Sequence, residues 1–175
     1  MDLTKKPRKM KEFVIYTDGA YSMLKNEGAF AFVILDGNGI VIKKRAYKCI
    51  NETNNRMELK AIIAALYNLP NKEEQVNALV VSDSQYALCT LFGTWRRNLN
   101  QDLFDVYERI MKEREIEIEW KWVKGHNGDY YNEMCDEMCN QVLGYNANEE
   151  YEKYKRIKEK KDKNTCNNET KPLIL

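Results

Sequence analysis

The tetrapeptide Asp36-Gly37-Asn38-Gly39 lies between two apolar, β-favouring runs, Ala29 to Leu35 and Ile40 to Tyr47, and that arrangement spells a hairpin. Phe13 to Thr17 precedes it as a third short run of the same kind. After Tyr47 the rhythm changes. A helical pattern from about Asn54 to Leu69 is stopped by Pro70 and followed by a buried strand at Ala78 to Ser82. Ser84 to Phe92 reads as a short helix, and Asp102 to Arg114 as a longer one with Leu103, Val106, Ile110 and Met111 inward. Ile116 to Val123 alternates as a strand, and a last helix runs from about Asn132 to Leu143, after a loop at Gly125 to Gly128. A hairpin first and helical crossovers later leave few solutions for the order β-β-β-α-β-α-α-β-α. It predicts an α/β fold with a five-stranded mixed sheet, three strands antiparallel and two added in parallel, flanked by helices.

The 175 residues suffice for one ordinary domain, and 43% hydrophobic with 31% charged residues suits a folded chain. Three segments are expected: a basic start at 1–11, a folded domain at 12–144, and a charged, flexible tail at 145–175. A net charge of +1 points to no partner class, so any basic patch must be local. No apolar run approaches the length of a membrane span, and "MDLTKKPRKMKE" has no apolar segment behind it, so neither a membrane partner nor a secretory signal is expected. Five cysteines without a C-x-x-C pair argue against a disulfide framework and for a reducing, cytoplasmic setting.

Two strands end alike, in "VIYTDG" and "LVVSDS". If they are parallel neighbours, Asp18 and Asp83 emerge side by side at the carboxyl ends, where open α/β sheets place ligands. Taken singly, Asp18 could be a turn aspartate before Gly19, and Asp83 a helix N-cap. Glu58 shares a helix side with Ile62 and Ala65, an odd place for an acid, although Asn55-x-x-Glu58 also resembles a capping box. Asp136 on the last helix could be a surface acid. Four carboxylates converging on one sheet end would repel by about 4 kcal/mol per pair at roughly 4 Å and an effective dielectric of about 20. They could stay ionised together only around cations, and an all-oxygen set suits Mg²⁺ or Mn²⁺. Such a set commonly holds two metals for displacement at phosphorus.

Four motifs occur in order: "TDG" at Thr17 to Gly19, "TNNRMEL" at Thr53 to Leu59, "SDSQY" at Ser82 to Tyr86, and "WVKGHNGDYYNEMCDEM" at Trp122 to Met138. With them the chain resembles type 1 ribonuclease H from about Phe13 to Leu143. The resemblance implies a ribonuclease H-like fold and a magnesium-dependent endoribonuclease, with two Mg²⁺ ions per site (Mn²⁺ as substitute) held by Asp18, Glu58, Asp83 and Asp136. It implies cleavage of the RNA strand of RNA–DNA hybrids, leaving 5′-phosphate and 3′-hydroxyl ends, by a protein acting as a monomer. His126, the only histidine, falls in the family's "GH" loop, where a histidine assists proton handling or product release; imidazole is the side chain whose chemistry suits that work near neutral pH. By the same resemblance Asn54, Asn55 and Gln85 contact the hybrid's minor groove, where amides can donate to and accept from a 2′-hydroxyl. Thr53 and Asn100 match the family's pocket for a DNA-strand phosphate.

The chain departs from the family pattern twice. The segment after "TDG" is "AYSMLKNEG" rather than glycine- and proline-rich, and the stretch from Gln85 to Asn100 is short, leaving Trp95-Arg96-Arg97 where many bacterial members insert a basic helix and loop. Competing expectations are a non-catalytic hybrid-binding module, against which all four acids argue, and a DNA-cutting transposase or resolvase, against which "TNNRMEL" and "KGH" argue. A structural zinc domain built on Cys135, Cys139 and His126 lacks a fourth ligand, and helical cysteines at that spacing are more often core. Trp120 and Trp122 share the inward face of their strand with Ile116 and Ile118 and are expected in the core.

Overall fold

The computed structural model describes residues 11–70 and 75–144; the basic segment and the charged tail expected from the sequence lie outside them, apart from Lys11. The elements are β1 (Lys11–Ser22), β2 (Glu27–Asp36), β3 (Val41–Ile50), α1 (Asn54–Tyr67), β4 (Val76–Ser82), α2 (Gln85–Leu91), α3 (Gln101–Glu113), β5 (Ile116–Trp122) and α4 (Tyr130–Leu143). One five-stranded sheet has the order β3-β2-β1-β4-β5. β1, β2 and β3 pair antiparallel, and β4 and β5 extend the sheet in parallel. This is the mixed sheet that the element order predicts.

The hairpin closes at Asp36–Gly39. Asp36 N–H donates to Ile40 O at 2.9 Å, Gly39 N–H donates to Asp36 O at 2.9 Å, and Gly39 takes φ +78°. That left-handed conformation costs glycine little, which is why a glycine ends the turn. α1 starts where Thr53 Oγ1 accepts from Arg56 N at 3.3 Å, so Thr53 is the N-cap and not Asn55. The capping-box reading of Glu58 therefore fails, because with Thr53 as cap the position that reaches back is Arg56, two residues before Glu58.

α1, α2 and α3 bury the main core against one sheet face: Leu59, Ile62, Ile63, Leu66 and Leu69 from α1 and its end meet Phe13, Ile15, Phe32, Ile34 and Val80. Each such fully buried aliphatic or aromatic side chain contributes about 1.5–3 kcal/mol. On α3 the innermost residues are Leu103, Phe104, Tyr107 and Ile110, with Val106 and Met111 only partly covered. α4 packs against β1, β2 and β3, where Cys135 and Cys139 are fully buried. Their thiols donate to Tyr16 O at 3.4 Å and Asp18 O at 3.7 Å, which makes them core residues, as their spacing suggested. Burial pushes both thiols well above the ordinary range, so they are poor zinc ligands.

β5 corrects one expectation. Ile116 is buried and Ile118 half-buried, but Trp120 and Trp122 are 42% and 44% exposed. β5 is an edge strand, and its carboxyl half is left largely uncovered. Alternation gives the shared face of those residues; it does not say how far along the strand that face is covered. No helix among the described residues is long and apolar enough to cross a membrane.

Candidate active site

The β1–β4 register ends at Thr17 opposite Ser82, so Asp18 and Asp83 are the next residue on each of two parallel neighbours. β1 does not turn there. It continues to Ser22 paired with β2, with Asp18 opposite Ala31, so Asp18 is a strand residue and not a turn aspartate. β4 does stop, and Ser84 Oγ caps α2 by accepting from Ala87 N at 3.2 Å. With Ser84 as cap, the Asp83 carboxylate is released from that duty.

Glu58 arrives from the first half of α1 through a close approach of helix and strand. A Cβ on Gly19 would lie 2.5 Å from Glu58 N and 2.6 Å from Met57 C, so only glycine lets β1 press against the α1 backbone. The result is a cluster in which one carboxylate oxygen each of Asp18, Glu58 and Asp83 lies within 4.8 Å of the others. Asp18 and Glu58 are 8% and 7% exposed, and Asp83 is half-buried.

The protonation of these acids shows the cost of that packing. Burial, then the charges of Asp83 and Asp136, push Asp18 up to about 8, against a single hydrogen bond from the Gly19 amide at 2.8 Å. Burial and the charges of Asp18 and Asp83 hold Glu58 well above the usual carboxylate range. Asp83 is raised by burial and partly restrained by the Asn132 amide. Glu58 Oε2 and Asp83 Oδ1 are buried without a hydrogen-bond partner. Oxygens that lack donors, on acids that repel one another, are what a hard divalent cation satisfies, so the residues present fit such an ion.

Asp136 stands apart from this tight set, on α4. It is close enough to raise both aspartates, its Oδ1 accepts from Asn140 Nδ2 at 3.1 Å, and its Oδ2 lies 3.7 Å from His126 Nδ1. His126 is 80% exposed and adopts φ +52°. Its loop passes close to Asp83 at one end and is bonded to α4 at the other. A Cβ on Gly125 would fall on Asp83 Oδ2, and Gly128 N–H donates to Glu133 Oε1 of α4 at 2.8 Å.

The predicted polar residues stand at the starts of three helices. Asn54 and Asn55 open α1 and Gln85 opens α2, all three exposed. Thr53 caps α1. Asn100 is the N-cap of α3 in a left-handed conformation, φ +65°. Of the shortened segment, Trp95 and Arg96 are exposed, but Arg97 is committed internally. It donates to Thr90 O at 2.8 Å, Leu91 O at 3.1 Å and Glu108 Oε1 at 2.6 Å, and lies over the Phe104 ring at 4.8 Å.

Sequence reasoning passed over Asn132. This buried residue donates to Thr17 O at 3.3 Å and restrains Asp83, joining α4 to the ends of β1 and β4. One signal could have found it: a polar residue four positions before Asp136, on the buried stripe with Cys135 and Cys139.

The family model for RNase H matches residues 10–143. The chain is 36% identical to ribonuclease HI of Haemophilus ducreyi over 152 residues, covering 74% of this chain and 89% of the relative. It is 31% identical to ribonuclease H of Treponema pallidum over 149 residues, covering 71% and 86%. The N-terminal RNase H domain of a Mycobacterium tuberculosis protein, solved as a fusion with maltose-binding protein, superposes with a TM-score of 0.65 at 19% identity, covering 77% of this chain and 94% of that one, a likeness of fold. The family model spans Asp18, Glu58, Asp83 and Asp136, and the chain belongs to the ribonuclease H family.

Proposed function

We propose that the protein is a magnesium-dependent endonuclease that hydrolyses the RNA strand of RNA–DNA hybrids and leaves 5′-phosphate and 3′-hydroxyl ends. The observation that carries this is the triad Asp18, Glu58 and Asp83, two of them buried and the third half-buried, with oxygens lacking donors, in a chain of this family. Asp136 completes the set from α4 at its more open side. Two Mg²⁺ ions bound by these acids would supply an activated water and charge stabilisation at the leaving oxygen.

The chain's own residues do the rest. Asp18 and Asp83 stand on adjacent strands and present their oxygens at one fixed separation, so little reorganisation is needed when charge develops. Glu58 sits between the sheet end and the amides of Asn54 and Asn55, where it faces both the metal ligands and a 2′-hydroxyl. Gln85 approaches from α2, and Thr53 and Asn100 take a phosphate of the DNA strand. His126 is exposed, on a glycine-flanked loop bonded to α4 and beside Asp136; there it can receive and release a proton. We take 12–144 as the catalytic domain, acting as a monomer, and the free cysteines fit residence in the cytoplasm.

The test is incubation with labelled hybrid, duplex RNA and duplex DNA, each with Mg²⁺ or chelator. Cleavage of the RNA in hybrid alone, with Mg²⁺ alone, is the expected result. Binding of hybrid without cleavage would leave a hybrid-binding module. In the same assay His126→Ala is expected to lower the rate about 10- to 1,000-fold, the span of a positioned proton-transfer group, with metal binding retained. A variant whose rate matches the parent across pH 6 to 9 would remove His126 from the mechanism.

A further inference from the structure

The two segments proposed to grip the DNA strand are far apart in sequence, and one guanidinium joins them. Arg56 donates Nε–H to Glu52 Oε2 at 2.5 Å. Its Nη1 and Nη2 bond Asp102 Oδ1 and Oδ2 at 2.8 and 2.7 Å as a two-pronged pair, and Nη1 also reaches Asn100 Oδ1 at 3.3 Å. The other end of the Asn100 amide is held as well, since Nδ2 donates to the Tyr86 hydroxyl at 2.9 Å. With a cation at its oxygen and a phenol at its nitrogen, the amide has one orientation. That leaves the second Nδ2 hydrogen to offer to an acceptor such as a phosphate oxygen. Glu52 is fixed in turn by Lys60, and the backbone N–H of Arg56 itself carries the Thr53 cap.

Four of the five guanidinium hydrogens are used on Glu52, Asp102 and Asn100, and two carboxylates offset the charge. Arg56 therefore has little to offer a phosphate directly. Its geometry serves a different purpose. We propose that Arg56 is a positioning residue for hybrid binding, which together with Tyr86 locks Asn100 in orientation and at a fixed distance from Thr53, Asn54 and Asn55. A nucleic-acid strand then meets the start of α1, the start of α2 and the start of α3 as one surface. This rests on the reading above that Asn100 touches the hybrid.

The role depends on the planar fork and not on charge, and that makes it testable by KM and kcat on hybrid. Arg56→Ala is expected to raise KM about 10-fold, the scale of one charge-assisted contact, with kcat within about 3-fold of the parent. Arg56→Lys, which keeps the charge and loses the two-pronged geometry, is expected to raise KM almost as much. Parental KM in Arg56→Lys would mean that charge alone suffices, and would overturn the proposal. Tyr86→Phe removes one hydroxyl and no packing volume, and is expected to raise KM about 3-fold with an unchanged melting temperature. This keeps the idea falsifiable if the arginine variants fold poorly, because parental KM in Tyr86→Phe sinks the lock. In a double-mutant cycle, Arg56→Ala with Asn100→Ala is expected to be no worse in KM than Asn100→Ala alone, and additive losses would show that Arg56 does not act through Asn100. If Asn100→Ala itself leaves KM at the parental value, the assignment of Asn100 to the substrate fails and takes the proposal with it. Parental KM in Arg56→Ala, with a raised KM in Asn100→Ala, overturns the proposal and spares that assignment.

Discussion

Asp18→Asn and Asp83→Asn are each expected to reduce cleavage of hybrid to background, a loss of more than about 1,000-fold, while the fold survives. The reason is electrostatic. Each change removes one negative charge from the cluster, keeps the shape of the side chain, and takes away an oxygen that a cation needs, and preorganised charge carries the largest share of such chemistry. The fold should survive because neither carboxylate supports it. Both are held above their ordinary range by burial, so in metal-free buffer neutral asparagine relieves a strain that the parent carries. The melting temperature of Asp18→Asn is therefore expected to exceed that of the parent when chelator is present. Near-parental turnover in either variant, measured on labelled hybrid with Mg²⁺, would place the active site elsewhere.

The second large effect is the pH dependence of the metal-free protein, which should run opposite to ordinary acid denaturation. Asp18 has an ordinary value of 3.8 and is pushed up to about 8 in the folded protein. Between those values the unfolded chain has released a proton that the folded chain keeps. Stability contributed by the protonated form is thus complete below the lower value and is lost as pH rises towards the higher one. Glu58 shifts in the same direction, and the two act together. Thermal melts in chelator should show the parent losing stability between about pH 4 and pH 8, on the order of a few kcal/mol, which for a domain of this size is several degrees. Asp18→Asn should flatten that slope and stand above the parent most clearly at pH 8. Adding Mg²⁺ at pH 8 should restore the parent by about 2.7 kcal/mol at a concentration 100 times its Kd. A flat parental profile in chelator, with no response to Mg²⁺, would mean that the acids are not forced together as described.

Much of this was legible in the sequence for local reasons. The hairpin at Asp36–Gly39, the apolar stripe of α1 and the alternation of β5 are written in neighbouring residues, because turn chemistry and side-chain periodicity act over a few positions. The motif that holds Glu58 and the twin strand endings at Asp18 and Asp83 made the acid cluster legible as well, since parallel strands that end alike deliver their next residues together.

Other features depend on distance and coverage, which no local pattern encodes. That Asp18 lies within a continuing strand and Ser84, not Asp83, caps α2 was settled by pairing with β2 and by cap geometry. Trp120 and Trp122 follow the core period and are still exposed, because how far that face is covered depends on elements elsewhere in the chain. Arg97, which as a sequence looks like grip for phosphate, is drawn inward by the carbonyls at the end of α2 and by Glu108. Arg56 looks like one more exposed charge of a helix start, and becomes the link between α1 and α3 only when Asn100 and Asp102 fold back beside it. The sequence by itself determined which residue types could do the chemistry and on which elements they lie. The tertiary structure decided which of them meet, how deeply each is buried, and so which carboxylates hold their protons, because burial and proximity are sums over the whole fold.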